Sequence, residues 1–233
     1  GSIMTTAERT GKGMTSDRNY TFILPPGWFR IDLRLPLGPQ VQQLTDAVLD
    51  QESAGSERSR LRVALISQMT RACEAARADH VLDLVLPVRL VEGRTLPVSW
   101  AFMPLVTQDG ADPIELLAAI ASRNESAALV EIRDLVALRI ESRSPKSTAQ
   151  LTDAVQSIAV DLGESPSDTL DADSVNLWTQ RVQYFLGHPQ RPDGWIVVAA
   201  SITDTGGDDS EILTPALVEL FDEVAKTVRF PNA

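Results

Sequence analysis

The chain has few of the side chains from which catalytic and metal sites are built. It contains one cysteine, Cys73, and two histidines, His80 and His188. A lone cysteine cannot form an internal disulfide, and these three positions do not have the spacing of a zinc finger or of a metalloprotease helix. Neither histidine has a cysteine, serine or carboxylate at a distance typical of a catalytic triad. We therefore expect no catalytic residue, no metal and no cofactor, and predict that the protein is not an enzyme.

Runs of basic residues and long apolar runs are also missing. The net charge is −11, with 32 acidic against 21 basic residues, and such a field repels the phosphate backbone of nucleic acids. Stretches such as Trp195–Ala200 are far shorter than the roughly 20 apolar residues of a membrane-spanning helix. Residues 1–3 have the composition of a tag scar, and residues 4–19 are polar with no signal-like apolar region. We predict a cytoplasmic protein without nucleic-acid or membrane partners, and a disordered leader at 1–17.

What the chain does contain is typical of a packed domain. Hydrophobic residues make up 43% and charged residues 23% of the sequence. A length of 233 residues suits one core, and no Gly/Ser-rich or Pro-rich linker divides it. We predict a single domain over 18–233 that carries a polar excursion at 142–174, rich in Ser, Thr and Asp, with one weak amphipathic helix.

The hydrophobic pattern alternates between strand and helix periods. Alternation or an extended apolar pattern predicts seven strands, at Tyr20–Leu24, Phe29–Leu35, Leu82–Leu90, Leu96–Val106, Leu129–Glu141, Asn176–Leu186 and Trp195–Ile202. Tight turns join several of them, among them the proline-rich reversal at 188–194.

Helical spacing predicts two helices between Pro39 and Asp79. A third should open at Asp112-Pro113, with Ile114, Leu117 and Ala121 facing inward. The last helix, about 210–228 with Ser210 as its N-cap, carries an apolar stripe that should lie on the sheet. The predicted fold is α+β: an antiparallel sheet of six or seven strands with helices packed on its faces.

Three stretches of the chain together resemble the PsbP-like fold, the family of the photosystem II extrinsic protein and of a Ran-binding protein, in an uncharacterised actinobacterial branch. They are Tyr20-Thr-Phe-Ile-Leu-Pro-Pro-Gly-Trp28, then Val182–Leu186 with Gly194–Ser201, and the closing Leu217–Phe230. The family opens with a segment ending in Pro-x-Gly-Trp, continues with an antiparallel sheet, and closes with a helix followed by a short aromatic strand. The helices between Pro39 and Asp79 and the polar excursion depart from a minimal member. The resemblance implies a binding or accessory role and carries over no catalytic residues.

Tryptophans and one acidic loop supply the candidate binding residues. Trp100 and Trp195 alternate within strands, which favours core positions. Trp28, held by a Pro-Pro-Gly turn, and Trp178, after the acidic loop, are better placed to line a groove. That loop carries Asp171 and Asp173 but lacks the glycine and the distal glutamate of a calcium-binding EF-hand, so we predict no metal there.

These observations favour a non-enzymatic accessory or adaptor protein that binds another protein with a basic surface through Trp28, Trp178, Asp171 and Asp173. An alternative is a small-molecule or lipid pocket between the sheet and the terminal helix, expected to be a mostly aliphatic cavity of ~300 Å³ or more. A third hypothesis is an enzyme that uses carboxylates alone, for example Glu131 and Asp134.

Overall fold

The computed structural model describes residues 20–51, 56–107, 111–145 and 177–231. The predictions on 1–17, on 146–174, on Asp171 and on Asp173 therefore lie outside the described residues. In chain order the elements are β1 (Trp28–Asp32), α1 (Leu37–Leu49), α2 (Ser56–Ala78), β2 (Asp83–Pro87), β3 (Leu90–Val91), β4 (Arg94–Thr95), β5 (Val98–Pro104), α3 (Pro113–Ser122), β6 (Ala128–Ile132), β7 (Leu135–Pro145), β8 (Trp178–Leu186), β9 (Ile196–Asp204) and α4 (Asp208–Ala225).

Seven of the strands form one antiparallel sheet in the order β1-β2-β5-β9-β8-β7-β6, and β3 and β4 form a small hairpin beside it. The α+β prediction is confirmed. Strands β8 and β9 pair over their full length, from Trp178 opposite Asp204 to Leu186 opposite Ile196. This confirms the pairing that the proline-rich reversal predicted.

The last helix lies on one face of the sheet, as its apolar stripe predicted. Buried Leu217 and Phe221 of α4 pack against Val182 and Tyr184 of β8. Because successive side chains of a strand point to opposite faces, the even-numbered residues of β8 and β9 all point towards α4. The strand side chains that line the cleft described below therefore all lie on this face.

The opposite face carries the other three helices. α1 and α2 cover β1, β2 and β5 through a cluster that includes Ile31, Val41 and Cys73. α3 covers a separate cluster that includes Leu138 and Phe185. Cys73 is buried, as predicted for a small hydrophobe, and burial raises the pKa of its thiol. No helix within the four described ranges is long and apolar enough to span a bilayer.

The prediction of one strand over Leu129–Glu141 is wrong in its organisation. These residues form the hairpin β6–β7, which reverses at Arg133 and Asp134, and β7 continues through Pro145. Arg133 adopts a φ of +50°, a left-handed conformation. The turn contains neither glycine nor proline, the strongest sequence signals for a reversal, and Asp134 is its one residue of a type that turns favour.

The first predicted strand is reduced to a single bridge. Thr21 and Arg229 exchange backbone hydrogen bonds of 2.8 and 2.9 Å, and no other residue of Tyr20–Leu24 joins a ladder. Side-chain stacking holds the segment instead: the rings of Tyr20 and Phe22 lie 5.2 and 4.3 Å from that of Phe102.

The N-terminal end of α3 is the one predicted from the sequence, whereas that of α4 differs from the prediction. The carboxylate of Asp112 accepts a hydrogen bond from the Ile114 amide at 3.0 Å, which confirms the predicted cap. Ser210 is not an N-cap, because α4 begins at Asp208 after Gly207 and the Ser210 hydroxyl contacts that of Thr205 instead. Ile114 points outward, contrary to prediction, because α3 covers only part of the sheet beneath it.

Candidate functional site: an acidic cleft under the last helix

A cavity of about 620 Å³ lies where α4, from Ser210 to Asp222, passes over the ends of β7, β8 and β9. The sheet contributes Glu141 and Arg143 of β7, Gln180 of β8 and Asp204 of β9. These residues share one face because Arg143 lies opposite Gln180, and Trp178, next in line on β8, lies opposite Asp204. We call this cavity the acidic cleft.

Arg143 lines the acidic cleft on the side formed by the sheet. Its Nη1 donates to Asp204 Oδ2 at 2.7 Å, and its guanidinium carbon lies 5.2 Å from the centre of the Trp178 ring. The other carboxylate oxygen of Asp204 accepts the Gly206 amide at 2.8 Å. The Gly206 hydrogen bond and then Arg143 hold the pKa of Asp204 below its ordinary value, so this buried carboxylate is charged at neutral pH.

A second network, of hydrogen bonds and ion pairs, borders the cleft nearer the C-terminal end of α4. Arg139 donates two hydrogen bonds to Asp222, Nε to Oδ1 at 2.9 Å and Nη2 to Oδ2 at 3.0 Å. The hydroxyl of Tyr184 also donates to Asp222, and Arg139 bridges to Glu141 at 3.1 Å. Burial, followed by the hydrogen bond to Asp222, raises the pKa of Tyr184. This network fixes α4 to β7 and β8 and so sets the width of the cleft.

The charges that line the cleft do not balance. Five carboxylates face one lining guanidinium, that of Arg143; the carboxylates belong to Glu141, Asp204, Glu211, Glu219 and Asp222. Glu211 and Glu219 form neither an ion pair nor a hydrogen bond with any residue in the described ranges. Thr214 is only 7% exposed, and its hydroxyl likewise has no hydrogen-bond partner among the residues described. The cleft thus offers acceptor oxygens to a cationic donor.

The structure separates the two predicted tryptophans. Trp178 is half-buried at the edge of the acidic cleft. Trp28 lies on β1, four strands away, which corresponds to about 19 Å across the sheet. Its indole stacks on that of buried Trp100, with 3.9 Å between ring centres and 15° between planes. The prediction of a core position is confirmed for Trp100, whereas Trp195 is half-buried and lines a surface groove.

The remaining titratable candidates lie apart from the cleft. His80 is exposed at the end of α2. His188 is buried against Phe230, and its Nδ1 accepts the Gln190 amide at 3.1 Å. Glu131 is on β6 and Asp134 is in the β6–β7 turn, both outside the cleft lining. Within the described part of the chain, no cluster of three or more His, Cys, Asp or Glu could hold a metal ion.

Sequence reasoning missed most of the cleft residues. The alternation on β7 did place Arg139 and Glu141 on one face, but nothing local shows that this face lies under α4. Asp222 interrupts the apolar stripe of α4 and was the available signal, because a carboxylate beside buried residues needs a partner. Asp204 has no local signal, since it reaches Arg143 only through the strand register.

Comparisons of the chain with protein-family models, with curated proteins and with solved structures find no significant match. The resemblance to the PsbP-like fold therefore stays a prediction.

Proposed function

We propose that this protein is a non-enzymatic accessory protein that binds another protein, and that the acidic cleft receives a lysine or arginine side chain from a basic surface of that partner. The observation that carries this proposal is the surplus of carboxylates in the cleft, of which Glu211 and Glu219 form no ion pair or hydrogen bond with a described residue. The overall charge of −11 acts in the same direction by attracting a basic partner over a longer range.

The helix terminus at the cleft favours a cation over an anion. Helix N-termini usually attract anions through their free amides. Here Asp208, Asp209 and Glu211 already supply negative charge in the first turn of α4. A phosphate would meet these carboxylates and be repelled, whereas a guanidinium or ammonium group would be attracted.

Arg143 shows how a planar cation is held in this environment. Its guanidinium lies over Trp178 while it donates to Asp204. A cation above an indole gains electrostatic attraction from the ring, about 0.5–1 kcal/mol at exposed sites. An incoming arginine can combine such contacts with forked hydrogen bonds to carboxylates, which a lysine cannot make.

The cytoplasm is the proposed location of this interaction. The described fold contains no disulfide, and its cysteine, Cys73, is buried as a free thiol. Disulfide-free domains are typical of reducing compartments.

The proposal is tested by affinity capture from native lysate at low ionic strength with the whole protein as bait. We expect a stoichiometric partner with the wild type and a large loss with Glu211→Gln/Glu219→Gln, which removes two exposed charges without touching the core. The matched control is Glu57→Gln/Glu74→Gln, which removes two exposed charges on α2. Capture of no stoichiometric partner, or equal loss in both double variants, contradicts the proposal.

A second candidate function is a small-molecule pocket, because the acidic cleft lies between the sheet and the last helix and has a volume typical of ligand sites. Its charged lining differs from the mostly aliphatic lining expected of a lipid site, so the ligand would be a polar cation such as an amine. Native mass spectrometry of the purified protein distinguishes the two. A carried-over mass that disappears in Glu211→Gln/Glu219→Gln favours the pocket.

A further inference from the structure

An apolar groove lies on the sheet face opposite α4, between α3 and the β6–β7 hairpin. It encloses about 450 Å³, and its lining consists of apolar residues, among them Ile114 and Ala118 of α3, Leu129 of β6 and Val136 of β7. Three of these side chains are unusually exposed for their size: Ile114 by 64%, Leu129 by 76% and Val136 by 57%. We call this surface the α3 groove.

The helix layer on this face is incomplete at the α3 groove. α1 and α2 cover β1, β2 and β5, while α3 covers the inner cluster around Leu138 and Phe185. Strand β6 ends the sheet, with β7 as its one neighbour among the described strands. Contiguous exposed apolar side chains of this kind mark interaction surfaces, whereas isolated ones are ordinary.

Both elements that bound the α3 groove carry an exposed carboxylate. Glu131 lies directly opposite Val136 in the β6–β7 register, so its side chain leaves the same face of the sheet. Glu115 follows Ile114 on α3 and is also exposed. Neither glutamate forms an ion pair within the described ranges. The groove is therefore complementary to an apolar stripe with basic flanks, and a second copy of this acidic chain would bring like charges together.

We infer that the α3 groove binds an amphipathic helix of a partner protein, with an apolar stripe on the groove and lysine or arginine beside Glu115 and Glu131. A helix fits because the groove runs beside α3 within the helix layer, where neighbouring helices pack about 8–10 Å apart. Residues at i, i+3, i+4 and i+7 of such a helix contact one apolar surface. This site is on the opposite sheet face from the acidic cleft and does not depend on the function proposed for that cleft.

The test uses a fluorescent amidated peptide of about 18 residues, with leucines at helical spacing and lysines on both flanks, and a scrambled peptide of the same composition. Binding to the full chain is followed by anisotropy, and peptide helicity by circular dichroism. The variant is Leu129→Glu, and the matched control is Val63→Glu, since Val63 is 65% exposed on α2, away from the groove.

We expect the striped peptide to become helical and to bind the wild type and Val63→Glu equally, but Leu129→Glu about tenfold more weakly. Because Leu129→Glu adds a negative charge, binding by charge alone would not weaken. Equal binding of the scrambled peptide, unchanged binding to Leu129→Glu, or no binding to the wild type overturns the inference. So does a loss of dimers in Leu129→Glu, or a loss of thermal stability several times that of Val63→Glu, since these outcomes identify a second copy or the chain itself as the occupant.

Discussion

Arg143 reaches across β8 to pair with Asp204 on β9, and its guanidinium lies over Trp178 on the way. One side chain thus joins three strands at the end of the sheet where the acidic cleft opens. It also leaves the cleft acidic, because its charge is matched to Asp204 while Glu211 and Glu219 form no ion pair or hydrogen bond with a described residue.

Arg143→Gln should destabilise the fold modestly and make the acidic cleft more negative. Arg143 is partly exposed, so the lost ion pair should cost only about 1 kcal/mol of unfolding free energy, and a basic ligand should bind more tightly. Urea denaturation and titration with an arginine-rich peptide measure the two effects. Arg58→Gln, which removes an exposed pair with Asp50, should alter neither by a comparable amount. Weaker peptide binding to Arg143→Gln would contradict the charge argument.

Asp222→Asn should cost about 2–3 kcal/mol of unfolding free energy. The substitution removes the charged acceptor of two hydrogen bonds from Arg139 and one from Tyr184, and it leaves Arg139 paired only with Glu141. The neighbouring substitution Glu223→Gln should cost less than about 0.5 kcal/mol, because the Glu223–Lys226 pair is exposed. Equal costs in chemical denaturation would show that the Arg139–Asp222 network does not fix α4 to the sheet.

Asp83→Ala should be among the most damaging single changes. Asp83 is fully buried, accepts two hydrogen bonds of 2.7 Å from Arg30, and accepts the hydroxyl of Tyr20. Its removal leaves a partly buried guanidinium without its carboxylate, at a cost of about 3–5 kcal/mol. Thermal and urea unfolding measure the loss. A cost below about 1 kcal/mol would indicate that solvent readily replaces Asp83.

The stability of the protein should fall in two steps as pH decreases. Burial and then Arg191 lower the pKa of His188 below 6.5 in the folded state, so the unfolded chain binds the proton more tightly. That contribution is complete above about pH 6.5 and is lost as the pH falls towards the folded pKa. The pKa of Asp204 is lowered from 3.8, so its contribution is present above that value and is lost at still lower pH.

Urea midpoints measured across the pH range check this prediction. His188→Asn should remove the step that begins below about pH 6.5. His80→Asn should keep that step, because His80 is exposed and asparagine tolerates its φ of +65°. If the pH profile of the urea midpoint were unchanged in His188→Asn, the assignment of this step to His188 would be contradicted.

Periodicity predicted the elements of this fold better than their arrangement. Alternation identified most strands of the sheet, and the apolar stripe of α4 required a surface to cover. The β6–β7 reversal was missed because the alternation continues through it and Arg133 takes a left-handed conformation without glycine. The strand order that places β9 between β5 and β8 has no local signal, because it depends on contacts between distant residues.

The candidate site was only partly predictable from the sequence, because it too depends on contacts between distant residues. Trp178 was identified as a binding residue and lies at the edge of the acidic cleft. Trp28 was identified on equal grounds, yet it stacks on Trp100 and lies four strands away. The carboxylates of Asp204 and Asp222 come together only after the strands pair and α4 docks, so composition indicated an acidic protein but could not locate its cleft.

The most direct test of a cation-binding cleft is an amide-resolved NMR titration of the full chain with an arginine-rich peptide at low salt. We predict saturable shifts concentrated at Arg143, Trp178, Asp204 and residues 210–222 of α4, suppressed by about 0.5 M salt and absent in Glu211→Gln/Glu219→Gln. Small shifts spread evenly over the acidic surface, or shifts that the double variant retains, would contradict it.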